Sequence, residues 1–194
     1  ERIAVGCIGV RNQGLGNLER FLKAGADVVA VCDVDASVAA TAAARVKSDG
    51  PTCQIFSDFR KLLDQKSLDA VVVTTPDHWH ALMTINACQA GKDVYVEKPL
   101  SHNIYEGRKC VEAARHHGRM VQHGTQSRSS SAVAKMVAAV HSEKYGKLLV
   151  SKGYCCKPRW SIGTKPTEGV TAASPASIRA RLKFRPPRRA PACV

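Results

Sequence analysis

Short apolar runs alternate with amphipathic segments up to about residue 142 of the chain. The runs are rich in Val, Ile and Ala, as strands buried on both faces are. The segments between them carry apolar residues at helical spacing, and several close at a glycine, which commonly follows the last turn of a helix. Strands and helices that alternate in this order form parallel sheets with right-handed crossovers. The sequence therefore predicts an α/β fold with a doubly wound, mostly parallel sheet of the Rossmann type.

The individual elements follow from the same pattern. The apolar runs predict strands at residues 2–10, 26–33, 53–56, 68–75, 93–96, 120–123 and 148–155. The amphipathic segments predict helices at residues 12–24, 36–47, 58–65, 77–89, 103–117 and 130–142. Aromatic residues make up only 5% of the chain, so the core must consist mainly of Ala, Val, Ile and Leu.

The net charge of +13 is concentrated near the C-terminus. Residues 1–150 hold 19 Lys/Arg and 15 Asp/Glu, a net of +4, whereas residues 151–194 hold 10 Lys/Arg and one acid, a net of +9. A nucleic-acid site would interleave aromatic residues with the basic ones, and Phe184 is the single aromatic residue after residue 164. The distribution argues against a nucleic-acid partner and favours a disordered basic tail.

The cysteines and the apolar runs constrain the class of protein further. None of the eight cysteines belongs to a C-x-x-C pair, so we expect no zinc or other metal site. Most are interpreted as small buried hydrophobic residues, which suits the reducing cytoplasm. An export signal removed ahead of Glu1 would be compatible with the same sequence. No run of about 18 apolar residues occurs, so no membrane span is expected.

The first predicted strand ends in the turn GVRNQG. Dinucleotide-binding domains carry G-x-G-x-x-G here, before a helix whose N-terminal amides attract the pyrophosphate. Gly9 and Gly14 match the first and third glycines, with Asn12 and Gln13 between them. Arg11 replaces the second glycine, which normally lets the backbone approach the pyrophosphate, so its side chain either crowds a phosphate or binds it. An ordinary strand-to-helix turn would carry the same residues.

Asp33 supplies a second signal, because it ends the second predicted strand 19 residues after Gly14. An acid at about this distance hydrogen-bonds the adenine ribose of NAD and would repel the 2′-phosphate of NADP. A solvated loop Asp is the alternative. The turn and Asp33 together predict a nucleotide site that prefers NAD over NADP. The same pair would also suit S-adenosylmethionine, so a methyltransferase is an alternative at this point.

Two further motifs follow predicted strands, at the edge where open α/β sheets bind ligands. TTPDHWH occupies residues 74–80 and EKPL occupies residues 97–100. Singly, each has a structural explanation, since proline begins helices and loops and Lys98 could be a surface charge. Together they make the chain resemble the Gfo/Idh/MocA oxidoreductase family, which has T-P-x-x-x-H and E-K-P segments at this spacing. The resemblance extends over residues 2–163, and it argues against a methyltransferase.

The resemblance implies an NAD(P)-dependent oxidoreductase that transfers a hydride between nicotinamide and a sugar, cyclitol or related polyol. It implies that Lys98 is the catalytic residue, which would orient the reacting hydroxyl and assist proton transfer. The implied cofactor-binding residues are Gly9, Arg11, Asn12, Gln13, Gly14, Asp33, Thr75, Pro76, His80, Glu97 and Lys98. Of these, Thr75, Pro76 and His80 would line the nicotinamide side.

The resemblance also predicts the domain organisation. Residues 1–146 would form the NAD(P)-binding domain, and residues 147–164 only the start of a second, α+β substrate domain. Residues 165–194 would be a basic Pro/Arg-rich tail, either out-of-frame or a genuine disordered segment. We therefore expect the chain to bind NAD but to turn over sugars poorly or not at all. A non-catalytic nucleotide-binding protein is the alternative, and an exposed strand edge would favour a homo-oligomer.

Overall fold

The computed structural model describes residues 2–46 and 52–154. Its strands are β1 Ala4–Ile8, β2 Asp27–Cys32, β3 Gln54–Phe56, β4 Ala70–Val73, β5 Asp93–Glu97 and β6 Val121–Gly124. They form one sheet in the order β3-β2-β1-β4-β5-β6, and every neighbouring pair is parallel. The predicted doubly wound parallel sheet is confirmed.

Most of the helices in the described residues begin where the sequence offers a side chain that can accept from a first-turn amide. They are α1 Gln13–Lys23, α2 Ala36–Ala43, α3 Phe59–Leu63, α4 His80–Gln89, α5 Ile104–His116 and α6 Ser131–His141. Asp35, Asp58, Asn103 and Ser130 cap α2, α3, α5 and α6 in this way. Short 3₁₀ turns at Asp77–Trp79 and Gln126–Ser129 precede α4 and α6.

Helices cover both faces of the sheet. On one face, buried residues such as Val71, Val73 and Val96 pack with Leu62, Met83 and Ala87 of the helices. On the other face, the cluster around Val5, Val31 and Val72 packs with Leu18 of α1 and Ala42 of α2. The core is aliphatic, as the composition predicts. Cys7, Cys32, Cys53, Cys88 and Cys110 are buried free thiols, which confirms their interpretation as small hydrophobic residues, whereas Cys155, Cys156 and Cys193 lie outside the described residues.

The structure corrects one predicted strand and shortens several other elements. No strand is assigned at 148–154, where Leu148 and Leu149 are exposed and no described strand pairs with them. An isolated extended segment has no ladder partner for its backbone, so its apolar run alone cannot make it a strand. The strand predicted at 68–75 is limited to Ala70–Val73, the residues that pair with both neighbours.

Candidate functional site

The candidate site lies at the carboxyl edge of the sheet, where β1 separates β2 from β4. The strands end at one level there, since Ile8 pairs with both Cys32 and Val73, and Val73 pairs with Val96. The segments that follow β1, β2, β4 and β5 therefore begin side by side. In open α/β sheets, ligands bind in the crevice at such a point, where the strand order reverses.

The turn after β1 packs tightly against the end of β4. Gly9 has φ +77°, a conformation that residues with a side chain rarely adopt, and a Cβ on it would lie 2.8 Å from the carbonyl carbon of Thr74. A Cβ on Gly14 would overlap the carbonyl oxygen of Gly9. Both glycines are thus required by close approach, as the first and third glycines of a dinucleotide turn are.

The N-terminus of α1 is open to an anion. No side chain caps it, and its first turn holds no acidic residue. Asn12, at the N-cap, has φ 44° and ψ −102°, which is an unusual conformation for a residue other than glycine. Arg11, Asn12 and Gln13 are all exposed at this turn. The amides and the positive end of the helix dipole suit a phosphate or similar group.

Asp33, after β2, is bound to the turn after β1. Its Oδ2 accepts from the amide of Val10 (3.0 Å), and its Oδ1 accepts from the amide of Asp35 (3.0 Å). Arg11 reaches the same region from the other side, and its Nη2 lies 2.5 Å from Oδ2 of Asp35. The Arg11 side chain is thus engaged in an ion pair that sequence reasoning did not predict.

His80 is buried beneath the loops instead of lining an open surface. Its Nε2 lies 2.7 Å from the carbonyl oxygen of Thr75, and its Nδ1 lies 2.6 Å from that of Pro99. Only 2% of the residue is exposed. His80 therefore joins the loop after β4 to the loop after β5. Both ring nitrogens face protein carbonyls, so neither is free to contact a ligand.

Glu97, at the end of β5, is the centre of a buried polar cluster and is only 3% exposed. Its Oε1 accepts from the side-chain amides of Gln13 (3.1 Å), Asn17 (3.1 Å) and Gln126 (2.8 Å). Its Oε2 accepts from the backbone amide of Lys98 (3.1 Å). No Lys, Arg or His in the described ranges forms an ion pair with Glu97. The carboxyl group of Glu97 is therefore held by neutral donors alone among the described residues.

Lys98 and Pro76 are exposed beside this cluster, whereas Thr75 is half-buried. The Lys98–Pro99 peptide bond is cis. No hydrogen bond or ion pair to the Lys98 ammonium occurs within the part of the chain that the structure describes. The ammonium is therefore available to a ligand in the crevice.

An open cavity of about 670 Å³ borders the Glu97 cluster along α1. It is lined by Gln13, Asn17, Arg20, Phe21, Ala24, Tyr95 and Gln126. Sequence reasoning did not select Asn17, although its spacing of four from Gln13 places both on one helix face. It did not select Gln126 either, although Gln126 lies within residues 2–163, over which the sequence resembles the family.

Neither metal binding nor a membrane span has support in the described ranges. Residues 2–46 and 52–154 contain no group of three or more His, Cys, Asp or Glu side chains that could hold a metal ion. None of their helices is both long and apolar enough to cross a membrane.

Comparison with known proteins decides the family. Residues 3–125 match the family model described as an oxidoreductase family with an NAD-binding Rossmann fold. The chain belongs to the Gfo/Idh/MocA oxidoreductase family. The resemblance inferred from the TTPDHWH and EKPL motifs is confirmed, and so is NAD as the cofactor of the family.

Two relatives of the chain carry glycosidase names. A glycosyl hydrolase family 109 protein of Saccharopolyspora erythraea is 34% identical over 162 residues, which cover 79% of this chain and 35% of the relative. The alpha-N-acetylgalactosaminidase of Shewanella oneidensis is 28% identical over 172 residues, 84% of this chain and 37% of that enzyme. The chain thus spans little more than a third of the curated relatives it matches.

Solved structures of two oxidoreductases share the fold of the chain. An NAD binding oxidoreductase from Klebsiella pneumoniae has a TM-score of 0.65 at 25% identity, and the match covers 74% of this chain and 39% of that oxidoreductase. The myo-inositol 2-dehydrogenase from Lactobacillus plantarum has a TM-score of 0.69 at 22% identity, and the match covers 77% of this chain and 44% of that enzyme.

Proposed function

We propose that residues 1–146 form the cofactor domain of an NAD-dependent oxidoreductase. Its reaction transfers a hydride between nicotinamide and a carbon of a sugar, cyclitol or related polyol. The observation that carries the proposal is the alignment of four strand ends, which brings the glycine turn, Asp33, Thr75 and Lys98 to one crevice. In this proposal the residues after 146 begin the substrate domain.

The residues of the crevice fit a dinucleotide. The absence of a Cβ at Gly9 and Gly14 lets the turn pack directly on the backbone of Thr74 and of the turn itself, and the uncapped start of α1 suits a pyrophosphate, with Asn12 and Gln13 beside it. Asp33 retains lone pairs for the hydroxyls of the adenine ribose, since each of its oxygens accepts one backbone amide. A cationic nicotinamide ring would lie near the buried carboxylate of Glu97, which has no cationic partner among the described side chains.

Lys98 is the proposed catalytic residue. The bound cofactor supplies or accepts the hydride. In the reducing direction, the Lys98 ammonium would donate a proton to the carbonyl oxygen of the substrate, which becomes the hydroxyl of an alcohol. In the oxidising direction, the hydroxyl proton returns to Lys98. Positioned proton transfer of this kind contributes roughly 10²–10⁴-fold to rate.

The first experiment separates binding from chemistry. NAD binding to the purified chain is measured by calorimetry, and NADH formation is followed by absorbance with a panel of sugars and inositols. Lys98→Met should lower any NADH formation by ~100-fold or more, a much larger effect than its effect on the NAD dissociation constant. The control is Lys66→Met, on an exposed loop lysine. Absence of NAD binding would contradict the proposal, as would turnover that survives in Lys98→Met.

Glycoside cleavage is a second candidate, favoured by the glycosidase names of the relatives. A nitrophenyl α-N-acetylgalactosaminide distinguishes the two, because its cleavage releases nitrophenol without net formation of NADH. NAD-dependent nitrophenol release would favour the glycosidase. NADH formation with a free sugar or inositol would favour the dehydrogenase.

A further inference from the structure

The Arg11–Asp35 ion pair spans the gap between the turn after β1 and the turn after β2. Arg11 Nη2 lies 2.5 Å from Asp35 Oδ2, and the two side chains are 50% and 36% exposed. The other oxygen of Asp35 has a separate task, since Oδ1 accepts from the amides of Ser37 (3.1 Å) and Val38 (3.4 Å) at the start of α2. Asp35 therefore uses one oxygen to cap a helix and the other to hold Arg11.

The ion pair lies where the proposed function puts the adenosine ribose. Asp33, the proposed ribose ligand, accepts from the amide of Asp35 and from that of Val10, the residue before Arg11. An arginine near this position is the group that accommodates the 2′-phosphate in NADP-binding Rossmann domains. Arg11 has the required guanidinium, which binds phosphate oxygens in pairs, but Asp35 already occupies it.

We propose that the Arg11 guanidinium can bind the 2′-phosphate of NADP, and that its ion pair with Asp35 prevents this binding. Asp35 is then a second determinant of the preference for NAD over NADP, acting through Arg11, whereas Asp33 acts directly on the ribose. This inference rests on the proposed function. With Asp33, Asp35 and Arg11 together, the local formal charge is −1, which opposes a phosphate. Removal of the Asp35 charge makes it zero and frees the guanidinium.

The structure offers a substitution that separates these roles. Asn is as good an N-cap as Asp, so Asp35→Asn retains the oxygen that caps α2. The side-chain nitrogen of the new Asn replaces Oδ2 of Asp35. Because this nitrogen and the Arg11 guanidinium are both hydrogen-bond donors, the ion pair is lost. Glu19→Gln is the matched control, since it removes one carboxylate from another exposed ion pair, with Arg45 at 3.2 Å.

The experiment is a cycle of four proteins: the unmodified chain, Asp35→Asn, Arg11→Ala and the double variant. NAD and NADP affinities are measured by calorimetry at constant salt. Asp35→Asn should tighten NADP by about tenfold, which is ~1.4 kcal/mol, and leave NAD within about twofold. In the Arg11→Ala background, Asp35→Asn should give little or no gain in NADP affinity. Glu19→Gln should shift neither affinity.

Two outcomes would overturn the inference while NAD still binds. NADP affinity that Asp35→Asn leaves unchanged would show that Asp35 suppresses nothing. An equal gain in NADP affinity with and without Arg11 would show that removal of the Asp35 charge alone acts, and that Arg11 does not bind the phosphate. Failure of the unmodified chain to bind either dinucleotide is a different result, because it contradicts the proposed function itself.

Discussion

Several side chains at this site contact a residue of another loop and so connect the two loops. Asp33 is hydrogen-bonded to the turn after β1, Arg11 to Asp35, and His80 to the carbonyls of Thr75 and Pro99. Each pair connects segments that follow different strands. A change at one of these residues should therefore alter the geometry of two loops at once.

Asp33→Ala should narrow the preference for NAD over NADP. The substitution removes an acceptor for the ribose hydroxyls and a charge that opposes the 2′-phosphate, so NAD should weaken while NADP improves. The ratio of the NADP dissociation constant to the NAD dissociation constant, measured by calorimetry, should fall by about tenfold, or ~1.4 kcal/mol. A ratio that stays constant, or tight NADP binding by the unmodified chain, would contradict the role of Asp33.

His80→Phe should destabilise the fold and weaken NAD binding together. It removes the ring that contacts the carbonyl oxygens of Thr75 and Pro99, and a neutral imidazole donates to one of them, so the free energy of unfolding in urea should fall by about 1–3 kcal/mol. His78→Phe is the control, since the His78 side chain is 61% exposed two residues away. Equal stability of the two variants would show that the His80 contacts do not support the loops.

At the scale of elements, the sequence predicted the sheet better than the links between its loops. Buried runs such as Val71–Val73 identify strands because a central parallel strand is apolar on both faces. The sequence also predicted that Asp33, Thr75 and Lys98 follow strands at the edge of the sheet where ligands bind. It did not predict the partner of Arg11 or the burial of His80, because both depend on side-chain directions set by tertiary packing.

The N-cap of α3 predicts a pH dependence. The Arg60 side chain hydrogen-bonds Asp58 and lowers the pKa of that carboxyl, with its backbone amide adding to the effect. Because the folded pKa is lowered, the stabilisation is present above the unfolded value of about 3.9 and is lost as the pH falls through the folded pKa. The partly exposed pair should contribute no more than about 1 kcal/mol.

Asp58→Asn tests this, since it keeps the cap and removes the titration. Urea unfolding should show a difference from the unmodified chain at pH 7 that disappears in acid. Arg60→Gln should remove most of the same pH dependence from the other partner. A difference that is independent of pH would refute this account of the cap.

α6 should be the least protected of the long helices. It buries none of its residues, and Met136 is 60% exposed, whereas α4 buries His80, Met83 and Ala87 among others. Local opening free energy depends on such burial, so the amides of α6 should exchange at least about tenfold faster than those of α4. Hydrogen exchange followed by mass spectrometry measures both helices in one sample. Equal protection would contradict this.

At the scale of the whole molecule, the buried thiols report on global opening. Burial raises the pKa of the Cys7 thiol to about 12 and that of Cys32 to about 12. Both lie in central strands, and only the thiolate is reactive, so alkylation near pH 8 should require unfolding of the sheet. Peptide mapping should show slow labelling that saturating NAD slows further, since a ligand of the folded state shifts the opening equilibrium. Fast labelling would contradict this.

The position of β1 between β2 and β4 has a consequence for how the protein folds. Val5 pairs with Val28 and also with Ala70, 65 positions along the chain. The β1–β2 pairing is comparatively local, but the crevice exists only after β4 has closed a long loop onto the other side of β1, and such closure is slow. During synthesis, the turn at Gly9 would thus leave the ribosome well before the Thr74 backbone against which it packs. The crevice therefore forms late during synthesis, first as β4 and then as β5 joins the sheet.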